Sequence, residues 1–469
     1  MDDAGMSIAN GQPEREAAGV EEALSAAAAA FPGWALRAAG ERRAFVRRLR
    51  RAIVGRQEAI VRAVAEEAAK PVTEVLQQEV TAACEMLSYL ERHYPRWLRG
   101  RSFRHLRPGF WRKSNRILFE PLGTIAVIGP ANYPFSLPVM QAAAALIPGN
   151  TVILKPSEKC PETARLVRSL FEEAGFPDGV LSVCVGGAEC GERLIGSPVV
   201  QKVLFTGSAR AGRRVAELCG RHFKPCLLEL GGRQPAIVLD DADPVLAARG
   251  LAWSIGHAAG RSCIGTRIIF VHPAVKEEFL GLLSRELRSL RPGAPTDASA
   301  DICGPPAELS LDTTNPDEWP ERLVMVREVT SVDQAVREVN SSGLGLGASI
   351  WSRDLGRARA VAGRIHAGLV WINDSSVGLP EFPWGGTKGS GWGRLFSREA
   401  LPELTNLKVI SSERRRTARR KFWWYPYSRE KFETVSRLNE FLYATKSPRR
   451  LFRFLASWVR QLARSGRRA

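Results

Sequence analysis

The chain has 469 residues, 45% hydrophobic and 25% charged, a globular composition that excludes a disordered or fibrous protein. At roughly 100–200 residues per domain, this length predicts two or three domains with a self-sufficient core. Net charge is +18, but residues 413–469 hold 17 Lys/Arg against 4 Asp/Glu, so +13 belongs to a C-terminal tail and only +5 to the other 412 residues.

The first residues, MDDAGMSIANGQPERE, are acidic and polar and lack the basic start and apolar run of a signal peptide. No apolar run reaches the ~18 residues of a membrane span. Eight cysteines show no C-x-x-C spacing, so neither a zinc site nor a disulfide framework is legible. A reducing, cytoplasmic setting is expected. Residues 18–98 predict helices, because VRRLRRAIVGRQEAIVRAVAEEA (46–68) repeats apolar residues every three or four positions. Residues 102–122 carry β-formers without helical period. From Gly123, β-rich runs alternate with helical stretches: TIAVI (124–128), TVILK (151–155), VLSVCV (180–185), KVLFT (202–206) and AIVL (236–239). Such alternation predicts an α/β fold of parallel βαβ units covered by helices on both faces. A second series follows: RIIFV (267–271), LVMVREV (323–329), ASIWS (348–352) and GLVWI (368–372), with a loop-like stretch over 290–320. No internal repeat at fixed spacing is present.

The dinucleotide fingerprint G-x-G-x-x-G after a strand is absent. FTGSARAG (205–212) is a second candidate for a phosphate: it follows KVLFT and opens a helix, where unpaired N–H groups around Gly207, Ser208 and Gly212 can face a pyrophosphate. On spacing alone, an ordinary strand–turn–helix corner fits equally well. Glu229 lies in LLELGG (227–232), and Cys263 in the small-residue stretch GHAAGRSCIG (256–265). Taken singly, a cysteine is most often a small buried hydrophobe. Glu229 alone reads as a buried, paired carboxylate, and Asn132 as a turn residue before Pro134.

The set reads differently. EPLGTIAVIGPANYPFSLP (120–138), GNTVILKPSE (149–158), FTGS, LELGG, the Cys263 loop, AGLVWIND (367–374) and PEFPWGGTKGSGWGR (380–394) follow in an order that resembles the NAD(P)-dependent aldehyde dehydrogenase superfamily over about residues 20–412. The NYP form of the asparagine motif and the short N-terminus look most like its class 3, fatty aldehyde branch. The resemblance implies a Rossmann-like nucleotide-binding domain (1–228, with 102–122 joining an oligomerisation element), a catalytic domain (229–400) and an oligomerisation strand (401–412). It implies a homodimer that oxidises an aldehyde to a carboxylic acid. Cys263 would be the nucleophile, passing through a thiohemiacetal and a thioester. Asn132 and the Cys263 backbone N–H would hold the oxyanion. Glu229 would activate the hydrolytic water, which favours release of a free acid over transfer to coenzyme A. Lys155 and Glu158 would hold the adenine ribose, and Ser208 the pyrophosphate. A carboxylate at Glu158 favours NAD, with NADP possible. No metal is expected.

The chain departs from the family in places. Where a Glu-x-Phe-Gly-Pro element usually holds the nicotinamide ribose, it reads NPDEWPERLVMV (315–326), with Asp317, Glu318 and Trp319 as the available stand-ins. The stretch between 272 and 322 is shorter than the family pattern by a few dozen residues. Arg261 stands for a usual glutamine and Arg233 for a usual lysine. These departures bear on the hydride step and leave open an alternative: an impaired or non-catalytic relative held at a membrane surface.

The tail supplies that surface. RRRTARRKFWWYPY (414–427) interleaves basic and aromatic residues. In RRLFRFLASWVRQLAR (449–464), helical spacing puts Leu451, Leu455, Trp458 and Leu462 on one face and Arg453, Ser457, Arg460 and Arg464 on the other. This pattern predicts a helix lying in an anionic membrane interface. Docking on a partner subunit and nucleic-acid binding are the alternatives, the second without a recognition motif.

Overall fold

The computed structural model describes residues 12–104, 113–305, 307–310, 323–413, 424–444 and 447–465. By contacts the chain forms two units, residues 1–101 with 117–409 and residues 102–116 with 410–469.

The first unit opens with helices α1 (Gln12–Leu36), α2 (Ala39–Gly55) and α3 (Gln57–Ala68). Their charged sequences form helices by burying a periodic stripe, with Leu49, Ile53, Ile60 and Val64 fully enclosed. Left-handed Ala69 (φ 47°) ends α3. After α4 (Val72–Val75) comes one π-helical turn, Leu76–Thr81, which runs into α5 (Ala82–Trp97). Strands β1 (Arg101–Phe103) and β2 (Lys113–Pro121) follow.

Five parallel strands build the first sheet: β3 (Thr124–Ile128), β4 (Thr151–Lys155), β5 (Leu181–Val183), β6 (Val200–Gly207) and β7 (Cys226–Leu230). Between them run α6 (Ser136–Leu146), α7 (Pro161–Glu173), α8 (Ala188–Gly196) and α9 (Ala209–Arg221). Every residue of β3 and β4 is buried, as expected of strands covered on both faces. In space the order is β5-β4-β3-β6-β7, so the winding reverses between β3 and β6. A crevice opens at the carboxyl ends of the strands at such a reversal.

The second sheet contains β8 (Pro235–Val238), β9 (Ile268–Val271), β10 (Glu308–Ser310), β11 (Leu323–Glu328), β13 (Gly347–Trp351) and β14 (Leu369–Ile372), all parallel, in the order β10-β11-β9-β8-β13-β14. Helices α10 (Pro244–Gly256), α11 (Pro273–Ser289), α12 (Val332–Ser341) and α13 (Leu355–Ala362) cover it. AIVL opens this second sheet, because β8 pairs with β9 and β13. One expectation needs correction: the stretch 290–320 contains a strand, β10. Short β12 (Leu344–Gly345) pairs with β15 (Thr387–Lys388), and β16 (Gly391–Trp392) adds antiparallel to β7. After α14 (Leu401–Leu404) comes β17 (Thr405–Glu413), which forms a three-stranded sheet with β1 and central β2. The α/β architecture is the one the alternating pattern predicts.

In the second unit, α15 (Arg429–Tyr443) and α16 (Pro448–Ser465) pair as a hairpin. The Thr434 and Ser457 hydroxyls lie 2.7 Å apart, and the Phe441 and Phe454 rings stack at 6.4 Å. The helical wheel is thereby corrected. Ser457 is buried against α15, whereas Leu451 and Leu455 are exposed, together with Phe452 and Val459. The side chains of Arg460, Leu462 and Arg464 lie outside the described residues. Among the described residues, no helix is long and apolar enough to cross a membrane.

Candidate active site

Asn132 follows the carboxyl end of β3. Its Nδ2 donates to the Arg261 carbonyl at 2.9 Å, which ties it to the cysteine loop and leaves its second hydrogen available. That loop is unusual: after α10, Ala258 (φ 54°), Ala259 (φ 50°) and Gly260 (φ 73°) are all left-handed. The Ala258 N–H donates to Glu74 Oε1 at 2.8 Å. The Arg261 guanidinium donates to the carbonyls of Ala68 and Ala69, which the end of α3 leaves unpaired. The departure from the family's glutamine thus anchors the loop to a helix terminus. Gly232 is required for close approach, since a Cβ there would stand 2.8 Å from the Cys263 carbonyl oxygen.

Asn132, Glu229 and Cys263 line one cleft of about 700 Å³, together with Gly207 and Ser208. Met86, Leu137, Met140, Leu379, Trp384 and Phe396 give it an apolar wall. Glu229, near the end of β7, is buried, and neither carboxyl oxygen has a hydrogen-bond partner. Burial pushes its pKa well above the usual carboxylate range, although the Arg394 charge pulls the other way. Arg394 itself donates to the Gly386 and Gly393 carbonyls at 2.8 and 2.6 Å. Burial, and then the negative charge of Glu229, push the Cys263 thiol up to about 12. The N–H groups of Cys263 and Ile264 point at its sulfur and oppose that rise. Low dielectric penalises each of these charges and the two repel, so ionisation of either acid opposes ionisation of the other.

On the other side of the crevice, the buried Lys155 ammonium lies 3.3 Å from Glu158 Oε2. Burial alone would raise the Glu158 pKa, but its own N–H and Lys155 hold it below its ordinary value. Ser208 caps α9 by accepting the Ala211 N–H at 3.2 Å. Gly207 has no room for a Cβ, which would meet the Phe205 ring at 2.6 Å. Gly212 does not face the cleft. Its N–H is spent on Ser208 O at 2.8 Å, and a Cβ would stand 2.3 Å from Leu230, so it lets α9 pack on β7. A capped helix N-terminus at the winding reversal, with a carboxylate–ammonium pair after β4, suits a dinucleotide's pyrophosphate and ribose. Asp317, Glu318 and Trp319 lie outside the described residues.

The aldehyde dehydrogenase family model matches residues 5–309 and 323–410. The chain belongs to the aldehyde dehydrogenase family. It is an oxidoreductase acting on aldehydes. A succinate-semialdehyde dehydrogenase [NADP(+)] of Deinococcus radiodurans is 32% identical, over 85% of this chain and 91% of the relative. A 4,4'-diapolycopene aldehyde oxidase of Methylomonas sp. is 30% identical, over 80% and 78%. The crystal structure of an NAD-dependent aldehyde dehydrogenase of Sinorhizobium meliloti superposes with a TM-score of 0.80 at 29% identity, covering 87% of this chain and 88% of that one. Family members named here thus differ in substrate and in cofactor, and none of the three carries a fatty-aldehyde name.

Sequence reasoning missed several residues around the site. Arg394 lies inside a quoted family element yet showed no role until β16 brought its neighbourhood beside Glu229. Lys70, Glu74 and Glu79 lie on a segment that reads as ordinary amphipathic helix, and no spacing rule marks them as partners of loops 56 to 184 residues away.

Proposed function

We propose that this enzyme oxidises a hydrophobic aldehyde to the carboxylic acid with NAD. The observation that carries the reading is the shared cleft of Asn132, Cys263 and Glu229. The Cys263 sulfur adds to the aldehyde carbon, and the thiol proton passes to solvent. The oxyanion so formed takes hydrogen bonds from the free Asn132 Nδ2 hydrogen and the Cys263 N–H. When bound, NAD would supply the hydride acceptor, held by Lys155 and Glu158 at its ribose and by Gly207 and Ser208 at its pyrophosphate. Loss of hydride from the adduct leaves a thioester on Cys263. Glu229 then takes a proton from the water that attacks the thioester, releasing the acid and restoring the thiol. A carboxylate raised by burial is a stronger base once ionised, which suits this step.

Three finer points belong to the proposal. The apolar wall favours a hydrophobic aldehyde, in keeping with the fatty-aldehyde likeness of the NYP motif and with the name of the Methylomonas relative. Glu158 favours NAD, because its carboxylate accepts from the ribose hydroxyls and repels a 2′-phosphate. Edge strand β17 exposes Leu407 and Val409, which suits a homodimer, and the basic hairpin suits an anionic membrane surface. The test is NADH formation across aldehydes of increasing chain length. Cys263→Ala should abolish it in a folded protein. Equal activity in that variant, or no NAD binding by the native chain, overturns the reading and favours a non-catalytic relative.

A further inference from the structure

We infer that Lys70, Glu74 and Glu79 are positioning residues that set the oxyanion donor and the nucleophile loop from behind. The inference rests on the proposed role of Asn132. None of the three side chains lines the cleft. Lys70 and Glu79 are wholly enclosed, with Nζ and Oε1 2.9 Å apart. Such a buried pair adds little stability over apolar residues of the same volume, so stability alone does not account for it.

Each member reaches a different part of the site. The second Glu79 oxygen accepts the N–H groups of Phe135 at 3.2 Å and Ser136 at 2.7 Å, three and four residues beyond Asn132. The Lys70 ammonium lies 3.8 Å from the centroid of the Tyr133 ring, next to Asn132 in the chain. The Tyr133 hydroxyl is 3.3 Å from Ser262 Oγ, next to Cys263. Glu74 holds the left-handed run at Ala258. One ten-residue segment, which runs into the π-helical turn, therefore grips both loops whose separation defines the oxyanion site. An error of ~1 Å between such groups costs about 100-fold in rate.

The experiment is the pre-steady-state burst of NADH in the full chain, with iodoacetamide alkylation of Cys263 as control, since alkylation forms no oxyanion. Lys70→Met/Glu79→Gln keeps an acceptor for the two N–H groups and removes both charges. Its burst rate should fall at least tenfold, while the alkylation rate and the KM for NAD stay within twofold. Lys70→Arg, which keeps the charge and the contact with the ring, should retain a burst within threefold of wild type. A folded double variant with a wild-type burst overturns the proposal, as does equal loss of burst and alkylation. Should the double variant not fold, Glu74→Gln carries the same expectation and the same two refutations. No NADH formation by the wild-type protein, or NADH formation that survives Cys263→Ala, would instead refute the proposed function.

Discussion

In the cleft, Glu229 and Gln141 keep buried polar oxygens without hydrogen-bond partners, whereas on the C-terminal hairpin Phe432, Phe452, Leu455 and Val459 stand in solvent. Both arrangements are costly. An unpartnered buried polar group costs ~1–3 kcal/mol, and a buried aliphatic or aromatic side chain gains ~1.5–3 kcal/mol over an exposed one. The opposite signs teach what each region is built to meet. Polar groups withheld from water suit a reaction that moves protons and charge. Apolar groups offered beside arginines suit an interface that is oily and anionic.

The comparison can be broken in the cleft first. Beyond the loss of activity in Cys263→Ala, Glu229→Gln should keep the first-turnover burst but lower steady-state turnover by about 100-fold or more, the usual worth of a general base. Unchanged steady-state turnover would remove Glu229 from deacylation. Asn132→Ala should lower the burst itself roughly 100–1000-fold, with Cys263 alkylation preserved. On the hairpin, Phe452→Asp/Leu455→Asp should weaken sedimentation with phosphatidylserine vesicles at least ~10-fold, since two apolar groups are lost and two anions gained. NADH formation in solution should not change. Tight binding by the variant, or binding to nucleic acid that falls steeply with salt, would reassign the hairpin. The smallest expected effect is thermal. The folded protein holds the Glu229 proton more tightly than the unfolded chain, so stability is lost as pH rises above the ordinary value of 4.5. Glu229→Gln should therefore raise Tm at pH 8 and leave it unchanged at pH 4.

Parts of the molecule were legible because burial leaves a mark on sequence. TIAVI and TVILK read as strands since β3 and β4 are covered on both faces and so apolar throughout. Which sheet a strand joins leaves no such mark: AIVL follows KVLFT in one alternating series, yet it pairs with β9 and β13. Glu308–Ser310 offers a single apolar residue, too little for any pattern. Ser457 looked solvent-facing on a wheel because its partner, Thr434, lies on another helix. The candidate nucleophile, amide and carboxylate were found through the ordered family elements. Their supports were not, since the bond from Glu79 to Ser136 or from Arg261 to Ala68 is decided by packing between distant segments.

Ala258 and Ala259 carry left-handed backbones that an L-residue adopts at a cost of ~1–3 kcal/mol each. For anyone reshaping this enzyme, that makes the two alanines an unforgiving address. Valine, isoleucine or threonine at either would clash with its own backbone. Glycine would adopt the shape freely but hand the unfolded chain more freedom in exchange.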